Sequence, residues 1–260
     1  MWYTFARKRK SGKAKAVKAE VPGVVEFARK RLGFDPDAMQ ERVLASAAKR
    51  GILNCTRQWG KSTVAAVKAV HRAATCAGSL VIVASPTDRQ SAAFVRKAGE
   101  LVAVLGMRPR GDGRNTGSLL LPNGSRIVGL PGSEGTIRGF SAVALMVIDE
   151  AARVRDSLYK ALRPMLAVSR RDLWLLSTPH GKQGFFYENW ANGGARWERV
   201  EVRATECPRI GKEFLEEERK QLGEAWFRQE YLCEFVDDER NLLRRDLVDG
   251  AFEDLEVLRV

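Results

Sequence analysis

Gly51-Ile52-Leu53-Asn54-Cys55-Thr56-Arg57-Gln58-Trp59-Gly60-Lys61-Ser62-Thr63 is a short apolar run that breaks into a polar turn and then opens a helix-like stretch reaching about Cys76. Strand, turn and helix in that order are what a phosphate-binding P-loop requires. Backbone N–H groups of Thr56, Arg57, Gln58, Trp59, Gly60 and Thr63 would line a cradle at the helix N-terminus, where phosphate oxygens are attracted. Lys61 would reach the β- and γ-phosphates, and the Ser62 hydroxyl would bind Mg²⁺. The pattern is incomplete, because Cys55 stands where the first glycine of GxxxxGK[ST] belongs. An ordinary strand–turn–helix with a basic cap is the competing interpretation.

Outward from this run, further apolar segments read as buried strands. They are Leu80–Ala84, Ala144–Ile148 ending on Asp149, Leu173–Leu176 ending on Ser177-Thr178-Pro179, and a more amphipathic Trp197–Val202. Helical patterns separate them: 24–50 with a break at Gly33-Phe34-Asp35-Pro36 and a cap at Asp37, then 61–76, 88–105, 212–222 and 224–234. Ser118–Leu121 and Arg126–Val128 flank Pro122-Asn123-Gly124-Ser125, an Asn-Gly hairpin signal. Short apolar strands alternating with helices predict an open, mostly parallel α/β sheet with helices on both faces. Ligands of such sheets sit outside the carboxyl ends of the strands. Three of those ends here carry chemistry: CTRQWGKST, DEAA and STPHG.

Asp149 and Glu150 follow a buried strand, as an acidic box does in a nucleotide hydrolase. Asp149 would hold Mg²⁺, directly or through water, and Glu150 would polarise the attacking water as general base. Their alternative is a helix cap. Arg108, Arg110 and Arg114 lie in the loop-rich stretch MRPRGDGRNTG, and Arg126 opens the second hairpin strand. A projecting basic loop would track DNA phosphates, and a plain solvated loop is the alternative.

Composition narrows the class. The chain has 260 residues, 45% hydrophobic and 29% charged, room for one large α/β domain with at most a small appendage. No apolar run approaches the ~20 residues that span a bilayer, so no membrane partner is expected. The net charge is +12, and the first 31 residues supply eight of it with ten Lys/Arg against two Glu. That excess suits a polyanion or a solvated basic tail. The leader has no apolar core and is not a secretory signal. Cys55, Cys76, Cys207 and Cys233 form no CxxC pair, and His71 and His180 join no cluster, so a zinc site or disulfide framework is not expected. A reducing cytoplasm follows.

TRQWGKST, DEAA and a strand ending Ser-Thr-Pro before Gly, in this order, resemble the ATPase domain of the large terminase subunit of tailed bacteriophages. The likeness runs from about Phe34 to about Phe235. It implies a P-loop core with an additional strand and ATP lying between neighbours of a homo-oligomeric ring, with a monomer as the alternative for the isolated chain. It implies an ATP-hydrolysing motor that drives double-stranded DNA into a procapsid in the infected host's cytoplasm, with a portal protein and a small terminase subunit as partners. Residue by residue, Gln40 sits where an adenine-reading glutamine is expected, against a packing role. Arg57 matches an arginine that senses or stabilises the γ-phosphate, against a structural salt bridge. Thr178 matches a coupling motif, against a turn cap. Arg138 falls where the family places an arginine finger, against a surface or DNA contact. The stretch before the strand ending at Asp149 should lie away from the chain's own nucleotide, so Arg138 would act on a neighbour.

The organisation expected is a basic arm over residues 1–19, a motor domain over 20–235 and a tail or linker over 236–260. Full-length relatives continue into a ribonuclease-H-like nuclease. The roughly 25 residues after Phe235 include Asp246, Asp249, Glu253 and Asp254 but are too short for it, so no nuclease activity is expected of this chain. A helicase-like or repair ATPase, and a non-catalytic nucleotide-gated DNA-binding module, are the rival readings.

Overall fold

Both faces of the sheet are buried, which explains why its strands read as unbroken apolar runs. In the computed structural model, residues 21–111, 113, 117–130, 132, 140–167 and 171–236 are described. The basic arm, Arg114, Arg138 and residues 237–260 lie outside them. The sheet has seven strands: β1 (Arg50–Cys55), β2 (Leu80–Ala84), β3 (Ser118–Leu120), β4 (Arg126–Leu130), β5 (Val143–Asp149), β6 (Asp172–Ser177) and β7 (Glu198–Val202). Their spatial order is β3-β4-β2-β5-β6-β1-β7. All pairings are parallel except β3–β4, the Asn-Gly hairpin at one edge. Its turn closes with Leu121 N–H donating to Ser125 O at 2.8 Å, and Gly124 takes φ +79°.

β6 lies between β1, which ends in the P-loop, and β5, which ends in the acidic pair. This inserted strand is the additional-strand arrangement. Along each central strand alternate residues face opposite layers. Leu53, Val81, Val83, Val147 and Leu176 pack under one set of helices, while Ile52, Ile82, Ile148 and Leu175 pack under the other.

The first layer holds α1 (Val24–Leu32), α2 (Ala38–Ala45), α3 (Lys61–Thr75) and α4 (Asp88–Val104). Gly33 ends α1 in the left-handed region at φ +65°, which accounts for the break. Asp37 caps α2 through a full capping box with Gln40. The helical pattern expected to reach Arg50 stops earlier, at Ala45. There the Lys68 ammonium donates to the carbonyls of Val43, Leu44 and Ser46 and lies 4.4 Å from the centre of the Trp174 ring. A cation at a helix C-terminus satisfies the last carbonyls.

On the other face lie α5 (Asp156–Leu162) and α6 (Gly184–Asn192), neither anticipated from periodicity. Both are short, and Tyr159 of α5 stacks on Phe185 of α6 with centroids 3.9 Å apart. α7 (Lys212–Leu222) and α8 (Glu224–Tyr231) close the described chain.

Candidate active site

The loops at the carboxyl ends of β1 and β5 open onto one cleft of about 430 Å³, lined by Arg57, Gln58, Gly60, Lys61, Ser62, Thr63, Gln90, Lys97, Glu150 and Arg153, and the end of β6 lies beside it. Register explains the convergence: Asn54 pairs with Ser177, and Asp149 pairs with Leu176, so the three strand ends finish level.

The P-loop turns sharply. Gln58 has φ +62° and Gly60 φ +98°, both left-handed, and glycine accepts that conformation without steric cost. Lys61 is the first residue of α3 and only 6% exposed. Its ammonium lies 3.5 Å from Glu150 Oε1. The Ser62 hydroxyl hydrogen-bonds the Asp149 carboxylate. Burial and the neighbouring Glu150 push the Asp149 carboxyl up to about 6, while Ser62 and Lys61 pull the other way. Glu150 itself adopts φ +53°, so both the P-loop and the acidic box hold a non-glycine residue in a left-handed conformation, a cost tolerated at functional sites.

The sequence-derived residues do not all face the cleft. Thr56 is buried, and its hydroxyl donates to Glu230 O at 3.1 Å. Trp59 is buried in the core. Both side chains support the loop, so the expectation for Thr56 and Trp59 rests on their backbone groups, as the cradle reading had it. Gln40 is buried too. Its Oε1 accepts from Asp37 N at 3.1 Å, and its Nε2 donates to Trp59 O at 2.8 Å. An adenine contact would have to replace one of these, and in this geometry Gln40 braces the P-loop from α2. Cys55, which stands in the first glycine's position, turns its thiol toward Val200 O of β7 and away from the cleft. Burial raises that thiol well above its ordinary value.

Arg57 has both of the expected features. It lines the cleft, and its Nε donates to Glu230 Oε2 at 2.6 Å, a hydrogen bond that holds its guanidinium above its ordinary value. Thr178 is buried, with its hydroxyl accepting from Arg153 Nη1 at 3.1 Å. Arg108 and Arg110 are exposed, and Arg110 bridges to Leu120. Arg126 starts β4 with its guanidinium 5.9 Å from the centre of the Phe140 ring. These arginines belong to the amino edge of the sheet, since Arg126 is paired with both Leu80 and Leu120. Arg138 lies outside the described residues. Gly132 N–H donates to Asp88 Oδ1 at 2.9 Å, on the nucleotide edge, whereas Phe140 lies under Arg126 at the opposite edge.

Several residues at this site were not singled out in the sequence, Gln90 of the cleft wall among them. Half-buried Arg153 and buried Glu230 join in an ion pair of 2.7 Å. Lys97 of α4 donates to Thr63 Oγ1 at 3.0 Å. Arg209 donates to Trp59 O at 2.6 Å and to Asp37 Oδ2 at 2.9 Å, bracing the same carbonyl as Gln40. Only Arg153 left a local signal, lying three residues after Glu150 where a helical turn would bring them together.

An inserted strand between a GKS-bearing loop and an Asp-Glu strand end defines the class: this is a P-loop ATPase domain. Residues 52–249 match the family model of the terminase large subunit, T4likevirus-type, N-terminal, and the chain belongs to that family. It is 29% identical over 242 residues to the terminase large subunit of Thermus virus P23-45, covering 79% of this chain and 50% of that protein. The chain therefore spans about half the length of the curated relatives it matches. The large terminase ATPase domain of Thermus phage P74-26 superposes with a TM-score of 0.70 at 26% identity, covering 80% of this chain and 97% of that one. The large terminase of a thermophilic bacteriophage, in complex with ADP, shares the fold at 14% identity, with a TM-score of 0.63 over 82% of this chain and 52% of that one. Among the described residues no helix is long and apolar enough to cross a membrane.

Proposed function

We propose that this chain hydrolyses Mg·ATP and uses the energy to drive double-stranded DNA into a procapsid. The observation that carries the reading is the convergence of Lys61, Ser62 and Glu150 on one cleft, with Asp149 hydrogen-bonded to Ser62 behind it, through an inserted-strand core in a chain of the terminase large-subunit family. The γ-phosphate enters beside Lys61, which exchanges Glu150 for phosphate oxygens. Glu150 then accepts a proton from the water that attacks in line. Arg57, at the cleft wall, offsets charge on the transferred group.

The donor set suits Mg²⁺. Both groups are oxygen ligands, and the Ser62 hydroxyl is bonded to a buried Asp149 that sits beside a second carboxylate and is short of positive charge. When bound there, magnesium neutralises charge on the phosphate oxygens. Thr178 couples nucleotide state to movement, because it shares Arg153 with Glu150. Arg108, Arg110, Arg114 and Arg126 contact DNA phosphates. The working form is a ring on a portal protein, loaded by a small terminase subunit in the host cytoplasm.

A phosphate-release assay with and without double-stranded DNA tests this, with nucleotide affinity measured in parallel. Glu150→Gln should keep ATP binding and lose turnover by about a hundredfold or more. Lys61→Ala should weaken both. Near-normal hydrolysis by Glu150→Gln removes the base assignment, and no phosphate release with or without DNA removes the motor.

A further inference from the structure

Glu230 is an acid on the buried face of a helix, beside Phe227 and Tyr231, and is 1% exposed. A carboxylate this deep is costly unless it is paired and hydrogen-bonded. Its two oxygens are divided between two arginines: Oε2 accepts from Arg57 of the P-loop and Oε1 from Arg153 Nη2, at 2.6 and 2.7 Å. Arg153 therefore does more than neutralise one neighbour. Its other amino group, Nη1, donates to Thr178 Oγ1 at 3.1 Å and to Glu150 Oε2 at 3.4 Å. One planar guanidinium thus touches the ends of β5 and β6 and the buried face of α8. A flexible ammonium lacks the fixed fork that this needs.

The backbone holds Arg153 in place. Glu150 leaves β5 in a left-handed conformation, and Ala151–Arg153 form a single 3₁₀ turn anchored by buried Ala151. That turn puts residue 153 back over residue 150. Glu150 is left with Oε1 near Lys61 and Oε2 near Arg153. An incoming phosphate competes with Glu150 for Lys61, whereas Arg153 keeps a second anchor on Glu230.

We propose that Arg153 is a positioning residue: it holds one oxygen of Glu150 so that the other faces the attacking water, and its anchor on Glu230 makes that orientation depend on how α8 is seated. This rests on the reading of Glu150 as the base. The consequence is a structural link between the α7–α8 end of the described chain and the chemical step, separate from nucleotide affinity.

The test is single-turnover ATP hydrolysis, with equilibrium binding of a fluorescent ATP analogue and thermal melting, for Arg153→Ala, Arg153→Lys, Glu230→Gln and the Arg153→Ala/Glu230→Gln pair, beside Glu150→Gln. The expected result for Arg153→Ala is a loss of about tenfold to a hundredfold in the hydrolysis rate with nucleotide affinity changed by less than about threefold. Arg153→Lys should recover little, since one ammonium cannot bridge three groups. Glu230→Gln should lose part of the rate, and the double variant should be no slower than Arg153→Ala, because both changes break one linkage. Should Arg153→Ala unfold, Arg153→Lys and Glu230→Gln carry the same comparison. A rate within about twofold of wild type for a folded Arg153 variant, full rescue by lysine, or strictly additive losses in the double variant would overturn the proposal while leaving the base assignment standing. An active Glu150→Gln would instead remove the base, and the proposal with it.

Discussion

Burying Asp149 beside Glu150 has a cost that pH should expose. In the fold its carboxyl titrates at about 6 against an ordinary 3.8, with burial as the leading cause. A raised acid holds its proton more tightly in the folded state than in the unfolded one. Its stabilising contribution is therefore present below about pH 4 and lost as pH rises through 6, with a swing on the order of 3 kcal/mol. Asparagine keeps the acceptor for the Glu150 N–H, 3.2 Å away, and drops the charge. In buffer free of divalent cations and nucleotide, Asp149→Asn should melt above wild type at pH 8 and lose that advantage as pH falls to 4. Melting curves across this range decide it, and a difference independent of pH would dismiss the buried-charge account. At this scale the sequence was legible where the grammar is local. Lys61, Ser62, Asp149 and Glu150 are each read from their own strand end. Arg153 and Glu230 meet across 77 positions, and nothing in Glu224–Glu234 distinguishes one buried acid from its solvated neighbours.

Strands and long helices followed from hydrophobic pattern, because both sheet faces are covered and the middle of each central strand is apolar. The hairpin followed from Asn123-Gly124 alone. α5 and α6 escaped because they are only 7 and 9 residues long and owe their place to Tyr159 stacking on Phe185, a tertiary contact without a local period. Pairing order was equally out of reach, so that β6 between β1 and β5 entered only through the family likeness. β1 also shows a constraint hidden in composition. Gly51 is registered opposite Trp174, and a Cβ built on it would come within 2.3 Å of the indole ring. Trp174 cannot simply swing away, being buried with the Lys68 ammonium against its face. Gly51→Ala should therefore lower stability by about 1–3 kcal/mol through overpacking. Urea unfolding measures it, and an unchanged midpoint would mean that the strand pair shifts without resistance.

The two edges of the sheet divide the molecule. Lys61 and Glu150 line the cleft at the carboxyl edge, with Asp149 and Thr178 beside it at the ends of β5 and β6, whereas Arg126 belongs to the amino edge, bonded into the sheet beside Leu80 and Leu120. The proposed motor activity would need such separation, because the energy of the chemical step has to be delivered away from where it is released. It also needs neighbours if the charge on the transferred phosphoryl group is to be offset from outside, and here Arg138 is the proposed donor. Within the chain, Arg57 and Arg153 are both committed to Glu230. Arg57 can reach phosphate only by loosening a 2.6 Å ion pair, so a further arginine from another copy would add stabilisation that this cleft lacks. An arginine supplied in trans raises phosphoryl-transfer rates by about 10³–10⁵. Three outcomes follow if it acts that way. The ATPase rate per subunit should climb with protein concentration through the assembly range. Arg138→Ala should be inactive at every concentration. Mixing it with Glu150→Gln should restore part of the rate, since an interface of the two places an intact Glu150 on one copy opposite an intact Arg138 on the other. Turnover measured over a dilution series and over mixing ratios reads all three. A rate per subunit that ignores concentration, joined to mixtures no more active than their components, would return Arg138 to a DNA or surface role and leave each chain to complete its own site.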